Sequence, residues 1–152
     1  MKDSRPPLLS LLLGYGPALL LACLAAAAWI VPPPLGSVLA VAGRLWAGAI
    51  LIFLGGVRRG LSFFTVGGPR PVQIATTMWL FFAGLAGLVL PPLPALVLIA
   101  IAFASVALLD PRAAGRGEVP AHFARLRPPQ MAIFLAGTAA LLGRVLVHPG
   151  LG

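Results

Sequence analysis

The chain has 152 residues, 60% of them hydrophobic and only 9% charged, against roughly 45–50% and about 25% for an ordinary soluble domain. Its 11 basic and 3 acidic residues give a formal net charge of +8, yet the arginines stand singly between apolar runs, with neither a basic stripe nor an aromatic platform. That distribution argues against nucleic acid as a partner, and one cysteine, Cys23, leaves no intramolecular disulfide and no multi-thiolate metal site.

Met1–Pro7 is a basic leader with Lys2 and Arg5, and residues 8–31 form the first apolar run, long enough to span a bilayer. Pro17 lies inside it and cannot donate to the Leu13 carbonyl, which predicts a kink. The basic start and Leu20-Leu21-Ala22-Cys23 also resemble a lipoprotein processing box. We read this segment as an uncleaved first helix with a buried Cys23; lipidation of Cys23 is the alternative.

Pro32-Pro33-Pro34 leads into a second span over 35–57. Arg44 lies inside it, and Gly55-Gly56 precede Arg58-Arg59-Gly60, where we expect the helix to stop with its arginines among headgroups. Gly67-Gly68-Pro69-Arg70-Pro71 reads as a turn. Residues 72–90 are the third span, Pro91-Pro92 turn the chain, and 93–109 are the fourth span, ended by Asp110-Pro111. In the polar stretch that follows, Val119, Phe123 and Leu126 recur at helical spacing, predicting a short helix over 119–127 on the membrane surface. Residues 130–147 form the fifth span, with Arg144 near its far end.

The fold class expected is therefore an all-α integral membrane protein, one domain of five bundled transmembrane helices. The leader, the second–third loop and the fourth–fifth loop carry two, three and four basic residues, and the opposite loops carry none. A cytoplasmic amino terminus and a carboxyl terminus on the opposite side follow from that bias.

Helices associate in lipid through small residues that let backbones approach. Rows at i+4 spacing occur in the first span (Gly14, Ala18, Ala22, Ala26), the second (Gly36, Ala40, Gly48, Gly56, with Arg44 in the same row) and the fifth (Ala132, Ala136, Ala140). Gly48, Gly55, Gly56, Ala132, Ala136 and Ala140 are the expected packing positions.

Asp3, Asp110 and Glu118 all lie outside the predicted spans, so no paired acid–base site or proton relay is visible. His122 and His148 fall at opposite ends of the fifth span and cannot share a metal. No catalytic residue and no cofactor is expected. Arg44 costs about 2–3 kcal/mol within the bilayer unless paired or snorkelling. With Arg144 near the same outer face, it is a candidate site for an anionic lipid headgroup, the Gly152 carboxylate or an acidic residue of a partner. On the inner face Arg58, Arg59, Asp110 and Arg127 form a candidate charge cluster, and Arg58, Arg59 and Asp110 a clasp between the second and fourth spans contributing at most ~1 kcal/mol.

Several blocks carry a resemblance: Leu13-Gly14-Tyr15 with Pro17, Phe53-Leu54-Gly55-Gly56-Val57-Arg58, Asp110, and Pro120 through Leu126-Arg127. Together they make the chain resemble a family of inner-membrane proteins that includes mitochondrial transmembrane protein 69. The resemblance implies a five-helix membrane fold in bacteria and mitochondria, and no particular activity. Arg59, His122 and Pro128-Pro129 depart from that pattern, which has aromatic or apolar residues there.

The resulting expectation is a multi-pass protein of the bacterial inner membrane with anionic lipid at its cytoplasmic face. It is a non-catalytic accessory or assembly subunit with a protein partner in the membrane. The alternative is a small oligomeric carrier or channel, or an anionic-lipid-binding protein using Arg44.

Overall fold

The apolar runs become five α-helices in a computed structural model that describes residues 8–119 and 123–148. They are α1 (Leu8–Ile30), α2 (Leu35–Ser62), α3 (Pro71–Val89), α4 (Pro92–Gly115) and α5 (Phe123–Val147). All five are long and apolar enough to cross a membrane. Sequential helices pack against one another, α5 closes back on α1, and α2 touches each of the other four. Leu21, Leu51, Leu80, Ile99 and Met131 fill the centre. Phe103 of α4 stacks on Phe134 of α5 with ring centroids 4.6 Å apart.

The closest crossing is between α2 and α3, where glycine meets glycine. A Cβ on Gly84 would lie 2.6 Å from the Gly48 carbonyl oxygen, and one on Gly55 would lie 3.2 Å from the Thr77 carbonyl. Gly48 and Gly55 thus pack as expected, but Gly56 is exposed, with nothing within 4 Å of a Cβ position.

The alanine rows need the same correction. Ala132 and Ala136 are exposed and Ala140 is half-buried; Met131, Phe134, Gly137, Thr138 and Leu141 face inward instead. In α1, Ala18, Leu21, Ala25 and Ala28 are buried, whereas Ala26 is exposed. The reason is geometric. At 3.6 residues per turn a strict i+4 row drifts by about 40° per step, so it slides off the buried stripe that alternating i+3 and i+4 steps keep in place. From Gly36 to Gly56 the accumulated drift is about 200°, onto the opposite face.

Three predicted boundaries also move. Rather than stopping at Val57, α2 runs through Gly55-Gly56 and both arginines to Ser62. Arg58 and Arg59, four and three residues before its end, donate to the hydroxyls of Thr76 and Ser62. The fourth helix passes Asp110-Pro111 and ends at Gly115. Proline removes one donor, and the Arg112 Nη1 donates to the neighbouring Leu108 carbonyl at 2.6 Å. The described part of the expected surface helix is not separate: residues 123–127 are the first turns of α5, which continues through Pro128 and Pro129. Both prolines sit near the helix start, where only the Ala124 and Arg125 carbonyls lose a donor. Pro120 and His122 lie outside the described residues, as do Lys2, Asp3, Arg5 and Gly152.

Candidate functional site

Asp110, near the end of α4, is 3% exposed, and two helices bring arginines to it. Arg58 of α2 donates to Oδ1, and the Arg127 Nε of α5 lies 3.2 Å from Oδ2. Arg58 also donates through Nη1 to the Thr76 hydroxyl of α3 at 2.9 Å. One carboxylate thus joins α2, α4 and α5, with α3 tied in through Arg58. The expected clasp is therefore a buried network rather than an exposed pair, and Arg127 belongs to it. Arg59 does not: it donates to the Ser62 hydroxyl at 2.9 Å and lies over the Phe63 ring, 4.1 Å from its centroid.

Beside this network is a second cluster. Glu118 accepts from Arg70 at 3.0 Å and from Arg116 at 2.7 and 3.1 Å. The Arg116 hydrogen bonds, helped by the charges of Arg116 and Arg70, hold its carboxyl below the usual range against the opposing effect of burial. Arg70 also begins α3, its backbone N–H donating to the Gln73 Oε1 at 2.9 Å.

At the opposite end Arg44 reaches backbone. Its Nη1 donates to the Leu90 carbonyl at 2.6 Å and, more weakly, to Gly87 at 3.4 Å. These carbonyls end α3, where the last turn has no helical donors of its own. Pro91, Pro92 and Pro94, at the tip and the start of α4, bring no N–H groups to satisfy. The hairpin tip is therefore almost free of donors, and Arg44 answers its acceptors. A cation at a helix C-terminus is also favoured by the macrodipole. Gly48 and Gly84 make this reach possible by bringing the two backbones together.

Arg144 is 5% exposed, its Nη2 is 3.5 Å from the Ser37 hydroxyl, and its Nε has no partner among the described residues. Arg44 and Arg144 thus answer to different elements, the α3 terminus and the start of α2, and form no single site. Cys23 is exposed on α1, not buried. His148 is exposed with its ring 6.3 Å from that of Trp29. Among the described residues no three His, Cys, Asp or Glu side chains come together.

The tryptophans also serve as donors, a role that sequence reading overlooked. Trp46 donates to the Pro17 carbonyl at 3.0 Å, Trp29 to Ala140 at 2.9 Å and Trp79 to the Ser105 hydroxyl at 3.0 Å. The available signal was chemical: an indole N–H in an apolar run needs an acceptor. No protein-family model, curated protein or solved structure matches the chain.

Proposed function

We propose that this is a non-catalytic, multi-pass protein of the bacterial inner membrane that acts as an accessory or assembly subunit of a larger membrane complex. Its amino terminus is cytoplasmic, as the basic loops at the Asp110 end demand. The resemblance to the family of transmembrane protein 69 belongs to the same proposal.

The observation that carries it is the outer face of α5. Ala132, Ala136 and Ala139 are exposed, Gly143 is half-buried, and no large hydrophobic side chain of α5 is exposed before Leu146. The other four helices present Leu, Phe, Trp or Ile to their surroundings. Lipid tails gain nothing from a flat helix face, whereas a second helix can approach it closely. Several intramembrane polar groups meanwhile hold the fold: Arg44 on carbonyls, Arg58 and Arg127 on Asp110, Thr138 on the Phe134 carbonyl.

Gentle extraction of tagged protein, followed by mass spectrometry of what co-purifies, tests the reading. A stoichiometric membrane partner is expected, and Ala132→Leu combined with Ala136→Leu releases it while the protein stays folded. Purification of the chain alone, or a partner indifferent to both leucines, would count against it.

A further inference from the structure

A cavity of about 220 Å³ lies between α1, α2 and α5. Its walls are apolar for most of their area, from Ile50, Leu54 and Phe134 inside to Leu13 and Phe53 outside. Leu13 is 67% and Phe53 62% exposed, so the cavity opens sideways between α1 and α2, in the part of the protein that meets hydrocarbon. Two polar residues also line it, Arg127 and Gln130.

Neither polar residue is fully used by the protein. Gln130 is 3% exposed, and its side chain makes no hydrogen bond among the described residues. Its amide occupies the space a Cβ on Gly14 would take, so the backbone of α1 makes room for it. Arg127 spends its Nε on Asp110 and lays its guanidinium over the Phe123 ring, 4.6 Å from the centroid. Arg58 shares the same carboxylate, so the two arginines and one aspartate leave one positive charge in excess at the head of the cavity.

We propose that this cavity takes one acyl chain of an anionic phospholipid from the surrounding bilayer. A phosphate or ester oxygen of the lipid accepts from Arg127 and Gln130, and the chain lies along α2. The dimensions suit this occupant. From Arg127 to Phe134 the cavity wall follows seven residues of α5, about 10 Å. The volume is below the roughly 300–1,000 Å³ that encloses a drug-sized ligand, so it admits part of one chain and leaves the remainder of the lipid outside. The excess positive charge selects a negative headgroup over a zwitterionic one. This inference uses a face of the bundle different from the outer face of α5 and does not depend on a protein partner.

The test is native mass spectrometry of the full chain released from nanodiscs containing equal parts phosphatidylglycerol and phosphatidylcholine. One retained phosphatidylglycerol per protein is expected, preferred about tenfold over phosphatidylcholine. Val57→Phe puts a ring into the cavity and lowers retention of both lipids about tenfold, whereas Ile101→Phe, on the exposed side of α4, changes nothing. Arg127→Gln leaves Arg58 on Asp110 and removes the excess charge, so a lipid is still retained but without preference for the anionic one. Thermal unfolding in detergent establishes that each variant is folded. If Val57→Phe does not fold, Arg127→Gln alone decides the matter. Equal retention of the two lipids by the unaltered protein, unchanged retention in folded Val57→Phe, or undiminished preference in Arg127→Gln would each overturn the proposal.

Discussion

At one end of the bundle Arg58 and Arg127 share Asp110, and Arg70 and Arg116 share Glu118; at the other, Arg44 and Arg144 have no carboxylate among the described residues and turn to carbonyl and hydroxyl oxygens. The difference is one of what each cation is for. A buried carboxylate between two arginines requires them, because removing it leaves both charges unanswered in a site of low polarity. A cation on helix-end carbonyls is required only because α3 stops where it does, two residues beyond Gly87, against a proline-rich tip. The first arrangement joins helices to one another. The second finishes one helix.

The largest effect should therefore come from the carboxylate end. Asp110→Asn keeps the shape of the side chain and removes its charge, leaving Arg58 and Arg127 buried and mutually repelling. A loss of about 3–5 kcal/mol is expected, the usual cost of breaking a buried pair. Denaturant unfolding in mild detergent measures it. Replacing Arg58, Asp110 and Arg127 together by Met, Leu and Met recovers most of the loss, since no unpaired charge remains. Equal destabilisation by Asp110→Asn and by the triple replacement would mean that packing, not charge pairing, holds this end together.

At the other end the effect is smaller and local. Arg44→Leu lowers the cost of a cation in the bilayer but strips the Leu90 and Gly87 carbonyls of their donor. Each uncovered acceptor costs roughly 1–3 kcal/mol. The net result should be fraying of the last turn of α3 with the bundle intact. Hydrogen exchange reads this at the Leu90 amide, which donates to the Ala86 carbonyl at 2.8 Å. Faster exchange there, with protection in α4 unchanged, is the expected result, and Arg44→Lys restores part of it because an ammonium still donates. Global unfolding by Arg44→Leu would erase the distinction between the two ends.

Much of this fold was legible because apolar length is a strong signal: the five spans were visible as runs. The misplaced boundaries share a cause. Gly-Gly, Asp-Pro and Pro-Pro read locally as breaks, but side-chain hydrogen bonds flank the first two and the third falls near a helix start, where few carbonyls lose a donor. Arg58 and Arg59 carried α2 past its glycines, and Arg112 covered a carbonyl next to the gap left by Pro111. The association of Arg58 with Asp110 was readable from charge and side of the membrane. The partner of Arg44 was not, because its acceptors are backbone oxygens and no side chain marks them. The cavity was invisible for a similar reason: Gln130 reads as the polar first residue of a span, and only the packing of α1 against α5 shows it buried.

The smallest effect sharpens the comparison from within the carboxylate end, since Glu118 is outside the spans and Arg70 and Arg116 are about half exposed. Its carboxyl is held below the usual range chiefly by the Arg116 hydrogen bonds. A carboxyl with a lowered pKa in the folded protein contributes stability that is fully present above its ordinary pKa and is lost as pH falls through the folded value. The loop between α2 and α3, tied to Glu118 through Arg70, should thus stay protected through the pH range where free glutamate protonates and loosen only below it. Hydrogen exchange of the 63–70 segment against pH follows this, with Glu118→Gln as the reference that carries no carboxylate to titrate. The variant should show faster exchange at neutral pH and no acid-dependent step. A step of the same size in Glu118→Gln would assign the loosening to another group, and the arginines around Glu118 would then be no more than solvated loop charges.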